Sequence, residues 1–199
     1  MKKNKEDHIV TYKIFKGILG FFFRLYYRPK IVNKKVIPKD GPVIFCGNHI
    51  HLFDQNIPIL ATKRMVHYMA KREYFDNKKV AWFFKHAGCI SVDRAIHDQN
   101  AKDEAMHVLE NGWALGIFPE GTRNKTDKVL LPFKMGVVSM AQKTGATVVP
   151  YAITGKYKFW NNKLTCTFLK PFKVGKNEDL EKVNKKLYNM IKEEIEKHQ

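Results

Sequence analysis

Acidic residues are scarce in this chain of 199 amino acids: 19 Asp and Glu face 36 Lys and Arg, a formal net charge of +17. Such a balance favours polyanionic partners, whether nucleic acid, an acidic carrier protein or an anionic bilayer, and does not choose among them. Cysteine is sparse too. Cys46, Cys89 and Cys166 are odd in number, far apart and each set in a short apolar run. With no C-x-x-C spacing they give neither a disulfide framework nor a zinc ribbon, and read as buried small hydrophobes of a reduced compartment. A long unbroken apolar run is also missing. Residues 9–27 come nearest but carry Lys13, Lys16 and Arg24, which fits neither a spanning helix of roughly 20 apolar residues nor the core of a signal peptide. There is no internal repeat, no low-complexity linker, and no serine in a Gly-x-Ser-x-Gly elbow.

What is present suffices for one sizeable core. At 44% hydrophobic content a chain of this length forms one domain, here residues 31–199, with residues 1–30 as a short appendage. On a helix, Lys13, Lys16, Gly17, Gly20 and Arg24 fall within one arc of roughly 100°. Val10, Ile14, Phe15, Ile18, Leu19, Phe21, Phe22, Phe23 and Leu25 take the broad remainder. An apolar face that wide with a narrow basic stripe suits a helix lying in a bilayer interface, with rings in the acyl boundary and cations at lipid phosphates. The competing reading is an amphipathic helix packed on the protein's own core.

Beyond Pro29 short apolar runs alternate with helical patterns. Strands are predicted at Ile31–Ile37, Val43–Gly47, Met65–Met69, Cys89–Val92, Ala114–Phe118, Ala146–Ile153 and Lys163–Leu169, and helices at Tyr74–His86, His97–Asn111 and Met135–Thr144. Gly88, Gly112 and Gly145 supply the stops. The tail places Leu180, Val183, Leu187, Ile191 and Ile195 at helical spacing behind Asn177 as N-cap. Such alternation predicts an α/β layered domain around a mixed, mostly parallel sheet flanked by helices.

Two segments carry chemistry. His49 and Asp54 are five apart, so on one straight helix they would point about 140° away from each other. A turn after the Val43–Gly47 strand lets Asp54, at a helix start, reach back to the imidazole. It would then fix the tautomer and leave the other ring nitrogen to take a proton from a substrate hydroxyl. In the second segment, Phe118-Pro119-Glu120-Gly121-Thr122-Arg123 closes a strand; Gly121 permits close backbone approach and Arg123 offers a planar fork for phosphate oxygens. Proton transfer joined to anion binding suggests acyl transfer onto a phosphate-bearing alcohol.

Four motifs then stand in order: Asn48-His49-x4-Asp54, Gly88-Cys89-Ile90-Ser91-Val92-Asp93-Arg94, Phe118 to Arg123, and Val148-Val149-Pro150-Tyr151. In order and rough spacing they resemble the glycerolipid acyltransferases, in particular the bacterial 1-acyl-glycerol-3-phosphate acyltransferase type, from about Val43 to Ile153. The resemblance implies His49 as general base with Asp54 as its orienting partner. It implies an acceptor-phosphate site of Glu120, Gly121, Thr122 and Arg123, to which Arg94 contributes and, from Ala70-Lys71-Arg72-Glu73, Lys71. It further implies a fatty acyl group passed from acyl-CoA or acyl-acyl carrier protein to lysophosphatidic acid, giving phosphatidic acid in phospholipid biosynthesis. No metal or other cofactor is implied, and the place of action is the cytoplasmic face of the cell membrane, as a peripheral or monotopic protein. Glycerol 3-phosphate and other lysophospholipids are alternative acceptors. The chain departs from the family pattern at His51 and Asn124, where serine is common.

Two readings of other classes compete. His49-x-His51 with Asp54 could be a metal-dependent hydrolase site, but the Asp is displaced by one position from the His-x-His-x-Asp-His pattern and is followed by Gln55. A basic nucleic-acid-binding module would use the lysines and the 13% aromatics. The basic residues, however, are spread along the whole chain without a recognisable module, and the four motifs would stay unexplained.

Overall fold

The computed structural model describes residues 6–93, 95, 96, 98–160 and 163–198. Among these, seven strands make one sheet: β1 (Lys30–Val32), β2 (Val43–Gly47), β3 (Val66–Lys71), β4 (Ile90–Val92), β5 (Ala114–Ile117), β6 (Thr147–Thr154) and β7 (Thr165–Phe168). Their order is β1-β7-β6-β2-β5-β3-β4. Every adjacent pair is parallel except β6 with β7. The helices are α1 (Glu6–Tyr27), α2 (Asn56–Ala61), α3 (Glu73–Asp76), α4 (Lys78–His86), α5 (Gln99–Glu110), α6 (Gly136–Thr144) and α7 (Leu180–Glu196). The α/β fold with a mostly parallel mixed sheet is the one the alternating pattern predicts.

Strand β2 shows why the sheet is central. Its residues Val-Ile-Phe-Cys-Gly are buried without alternation, as expected where both faces are covered. Ile44 and Cys46 pack with Ala105, Val108 and Leu109 of α5, Val137 and Val138 of α6, and Leu187 and Ile191 of α7. Val43 and Phe45 face the other way, toward Phe23 of α1, Ile57 of α2, Tyr68, Tyr151 and Phe168. Each large side chain removed from water in these layers contributes roughly 1.5–3 kcal/mol.

Several boundaries differ from the sequence reading for local reasons. The strand expected over Ile31–Ile37 stops at Val32, because Asn33 takes a left-handed conformation (φ 59°) and starts a 3₁₀ turn, Lys34–Val36. The helix expected over Tyr74–His86 is two, divided where Asn77 turns extended and its side chain accepts from the Lys79 N–H. The cap of the last helix is Asp179, not Asn177; its carboxylate accepts from the N–H groups of Glu181 and Lys182, where a negative charge also meets the positive end of the helix.

Helix α1 presents most of its apolar surface outward. Val10, Ile14, Ile18, Leu19, Phe21, Phe22 and Leu25 are exposed, while Tyr12, Gly20 and Phe23 are turned in and buried. Two cations of the basic stripe reach α2: Lys16 Nζ donates to the carbonyl of Thr62 and Arg24 Nη2 to that of Leu60, at 3.3 Å. These cations meet the carbonyl end of α2, a favourable pairing. Gly20 permits the close approach, since a Cβ there would come within 2.4 Å of Leu60 Cδ2. Part of the apolar surface of α1, Tyr12 and Phe23, is thus packed on the core, and the larger part faces outward. No described helix is long and apolar enough to cross a membrane.

Candidate active site

Leaving the sheet after Gly47, the chain wraps around one carboxylate. Asp54 is fully buried, and its Oδ2 accepts from His49 Nδ1 and from the backbone N–H groups of Ile50 and His51, all at 2.7 Å. Its Oδ1 accepts from the Tyr157 hydroxyl at 2.7 Å. The turn that five-residue spacing requires is thus built around the acid itself. A carboxylate bonded to Nδ1–H leaves Nε2 as the basic nitrogen of His49. The imidazole is held flat against the Phe118 ring, centroids 3.9 Å apart and planes 8° from parallel.

The loops after β2 and β5 leave neighbouring strands at their carboxyl ends, where parallel α/β sheets gather their ligands. They are stitched together by Glu120. One of its oxygens accepts from the His49 N–H at 2.7 Å and the other from the Leu131 N–H at 2.9 Å. The Asn124 N–H adds a bond to the His49 carbonyl at 2.7 Å. Glu120 is buried, and burial pushes its carboxyl above the usual carboxylate range. Both its oxygens are occupied by backbone, so Glu120 shapes the site from behind and does not present itself to a phosphate.

The outer side of the same turn is cationic. Gly121 adopts φ 72°, a left-handed conformation that suits glycine, and a Cβ there would lie 2.8 Å from Lys134 Cε and 3.0 Å from its Nζ. Lys134 is tied to the turn through its own N–H, which donates to the Pro119 carbonyl at 2.9 Å. Thr122 and Arg123 are exposed beside it. Arg123 stands close enough to His51 for its charge to be felt: burial lowers the His51 pKa, Asp54 opposes this, and Arg123 and His49 add to the lowering. Lys71 ends β3, two strands from β2, with its ammonium 3.8 Å from Glu73. Arg94 lies outside the described residues.

Two members of this assembly carry no sequence signal of their role. Tyr157 follows the end of β6, belongs to no motif, and reaches Asp54 because β6 pairs with β2. Its ring stacks on His51, centroids 4.1 Å apart, and contacts Tyr27 and Phe23 of α1. Lys134 reads as one more surface lysine until the Gly121 turn is built. The thiols stand apart from the chemistry, with burial pushing Cys89 up to about 12 and Cys46 and Cys166 upward too. Among the described residues no three His, Cys, Asp or Glu side chains form a group able to hold a metal ion.

His49 paired with the buried Asp54, at the carboxyl edge of a mostly parallel sheet and beside a cationic turn, forms the candidate active site. Residues 28–154 match the Acyltransferase family. The 1-acyl-sn-glycerol-3-phosphate acyltransferase of Bacillus subtilis strain 168 is 32% identical over 147 residues, 72% of this chain and 71% of that protein. The protein of the same name from Borreliella burgdorferi is 33% identical over 132 residues, 65% of this chain and 52% of that one. The crystal structure of the 1-acyl-sn-glycerophosphate (LPA) acyltransferase PlsC from Thermotoga maritima aligns over 99% of this chain and 83% of its own, with a TM-score of 0.78 and 25% identity. The chain belongs to the acyltransferase family.

Proposed function

We propose that this protein transfers a fatty acyl group from an acyl thioester to the free hydroxyl of 1-acyl-glycerol 3-phosphate, giving phosphatidic acid. The observation that carries the reading is the His49–Asp54 pair, fixed at 2.7 Å beside the turn that sets Gly121 against Lys134 and Arg123. His49 Nε2 takes the proton of the acceptor hydroxyl as its oxygen attacks the thioester carbonyl. The C–S bond then breaks, and the departing thiolate receives the proton back from the imidazolium. A positioned base of this kind contributes roughly 10²–10⁴-fold. Arg123, Lys134 and the Gly121 backbone hold the acceptor's phosphate, so that binding energy remote from the reacting atoms keeps the hydroxyl in reach. Glu120 serves the same site by fixing the His49 backbone, and Thr122 borders it. Lys71, at the end of β3, is a further candidate for the same phosphate, as is Arg94 by the resemblance of its motif.

The donor is acyl-CoA or acyl-acyl carrier protein, either of which brings negative charge to a surface of +17. Residues 1–30 act as the membrane-associating segment and 31–199 as the acyl-transfer domain, working as a peripheral or monotopic protein at the cytoplasmic face. The outward apolar face of α1 supports that placement.

The test is acyl transfer from a long-chain thioester to lysophosphatidic acid in anionic vesicles. Native protein is expected to form phosphatidic acid, His49→Ala to abolish it, and Arg123→Ala to raise mainly the acceptor KM. Native protein inactive on lysophosphatidic acid but active on glycerol 3-phosphate would move the acceptor assignment. Absence of turnover on both would overturn the reading.

A further inference from the structure

Away from the catalytic loop, α1 and α2 enclose a groove of about 1090 Å³. Lys13, Lys16, Arg24, Arg28 and Lys63 line it, and no carboxylate does. The carbonyls of Thr62 and Leu60 meet Lys16 and Arg24, and the positive charge that remains around one space attracts an anion. Burial, and then the charge of Arg24, push the Lys16 pKa down to about 8. Arg28 is held over the Trp160 ring, 5.3 Å from its centroid, which keeps its guanidinium at the groove.

The walls between these cations are apolar. Phe21, Leu25 and Trp160 line the same groove and are 63%, 52% and 57% exposed. Phe21 and Leu25 also belong to the outward apolar surface of α1, so the groove opens along that surface. None of His49, Asp54, Gly121 or Arg123 lines it.

We propose that this groove binds the phosphate of an anionic membrane phospholipid, as a site separate from the one that takes the acceptor. The cations surround the phosphate, while the glycerol and first methylenes of the lipid lie against Phe21, Leu25 and Trp160. A soluble phosphate would use the cations and leave those rings bare. A lipid uses both, which is why the occupant is a bilayer component. Its binding would hold α1 at a set depth and rotation and thereby set the height of the domain above the membrane. The inference rests on the proposed membrane association of α1 and not on acyl transfer, so failure of the one is distinguishable from failure of the other.

Sedimentation with vesicles of phosphatidylcholine alone, or of phosphatidylcholine with phosphatidylglycerol, tests it. Two double variants of equal charge change are compared with the native protein: Lys13→Gln/Lys63→Gln in the groove, and Lys173→Gln/Lys176→Gln, exposed lysines outside it. The groove pair is expected to lose about tenfold of the affinity that phosphatidylglycerol adds, and the outer pair about twofold or less. Equal losses would mean a general surface field and would overturn the site, as would no loss from the groove pair. A second readout is competitive acetylation of lysines followed by mass spectrometry. Phosphatidylglycerol vesicles are expected to suppress modification of Lys16 and phosphatidylcholine vesicles much less. Equal protection by both would also overturn the site. In detergent-dispersed lysophosphatidic acid both double variants should turn over like the native protein, which reads the acyl-transfer proposal on its own.

Discussion

The hydroxyl of Tyr157 donates, at 2.7 Å, to the one oxygen of Asp54 that His49 does not use. The carboxylate is thereby held at both oxygens and cannot rotate away from the imidazole. A hydrogen bond to a buried anion is among the stronger kinds, roughly 1.5–3 kcal/mol. Tyr157→Phe keeps the ring stacked on His51 and removes only this bond. The expected result is a kcat lower by about tenfold or more, with the acceptor KM changed about twofold or less, measured by steady-state kinetics. A fall in thermal stability with kcat intact would make Tyr157 a packing residue and not a positioning one.

Glu120 offers two acceptor oxygens to two backbone N–H groups, those of His49 and Leu131. Glu120→Gln offers one, and its amide points a donor at the other N–H. The variant is expected to unfold at lower denaturant concentration, by about 1–3 kcal/mol, and to lose turnover because the His49 backbone is released. Urea unfolding monitored beside activity checks both.

Lys134 and Gly121 should behave as one unit. Gly121→Ala would bring a methyl carbon to 2.8 Å from Lys134 Cε, at a backbone φ of 72°. Both Gly121→Ala and Lys134→Ala are expected to raise the acceptor KM by about tenfold, and the double variant by less than the product of the two. A double-mutant cycle on KM is the measurement.

His51 gives a pH signature. Burial lowers its pKa in the folded state from the ordinary 6.5, so as pH falls below 6.5 the unfolded chain takes up the proton first. Folding stability from this group is therefore complete above 6.5 and lost as pH falls through and below that value. His51→Phe keeps an aromatic ring against Tyr157 and removes the titration. Between pH 7 and pH 5 the native melting temperature should fall further than that of His51→Phe, read by thermal melts in matched buffers.

The pairing of His49 with Asp54 was legible in the sequence because a spacing of five excludes a straight helix and so demands a turn. The Phe118–Arg123 segment was legible because a strand closed by proline and opened by glycine has few ways to run. Tyr157 and Lys134 were not, since each reaches the site across the sheet or through the turn, and such distances have no trace in local pattern. The break at Asn77 and the left-handed Asn33 escaped for the opposite reason: a single side chain's bond to its own neighbourhood outweighed the apolar period around it. The face of α1 was half legible. The arc of cations is in the sequence, but its capture by the carbonyls of Leu60 and Thr62 depends on where α2 ends.

Asn48 has the least conspicuous position of all. Its amide nitrogen donates to the carbonyl of Ile153 at 2.8 Å and its amide oxygen accepts from the Ile153 N–H at 2.7 Å. Those are the two bonds a peptide group makes across a sheet, supplied here by a side chain. The main chain is therefore free to veer off one residue before His49 while the ladder runs on beneath it. What turns at His49 is consequently mounted on the paired strands β2 and β6, and an Asn48→Leu substitution would set the proposed base on a loose joint without touching a single atom of the His49–Asp54 pair.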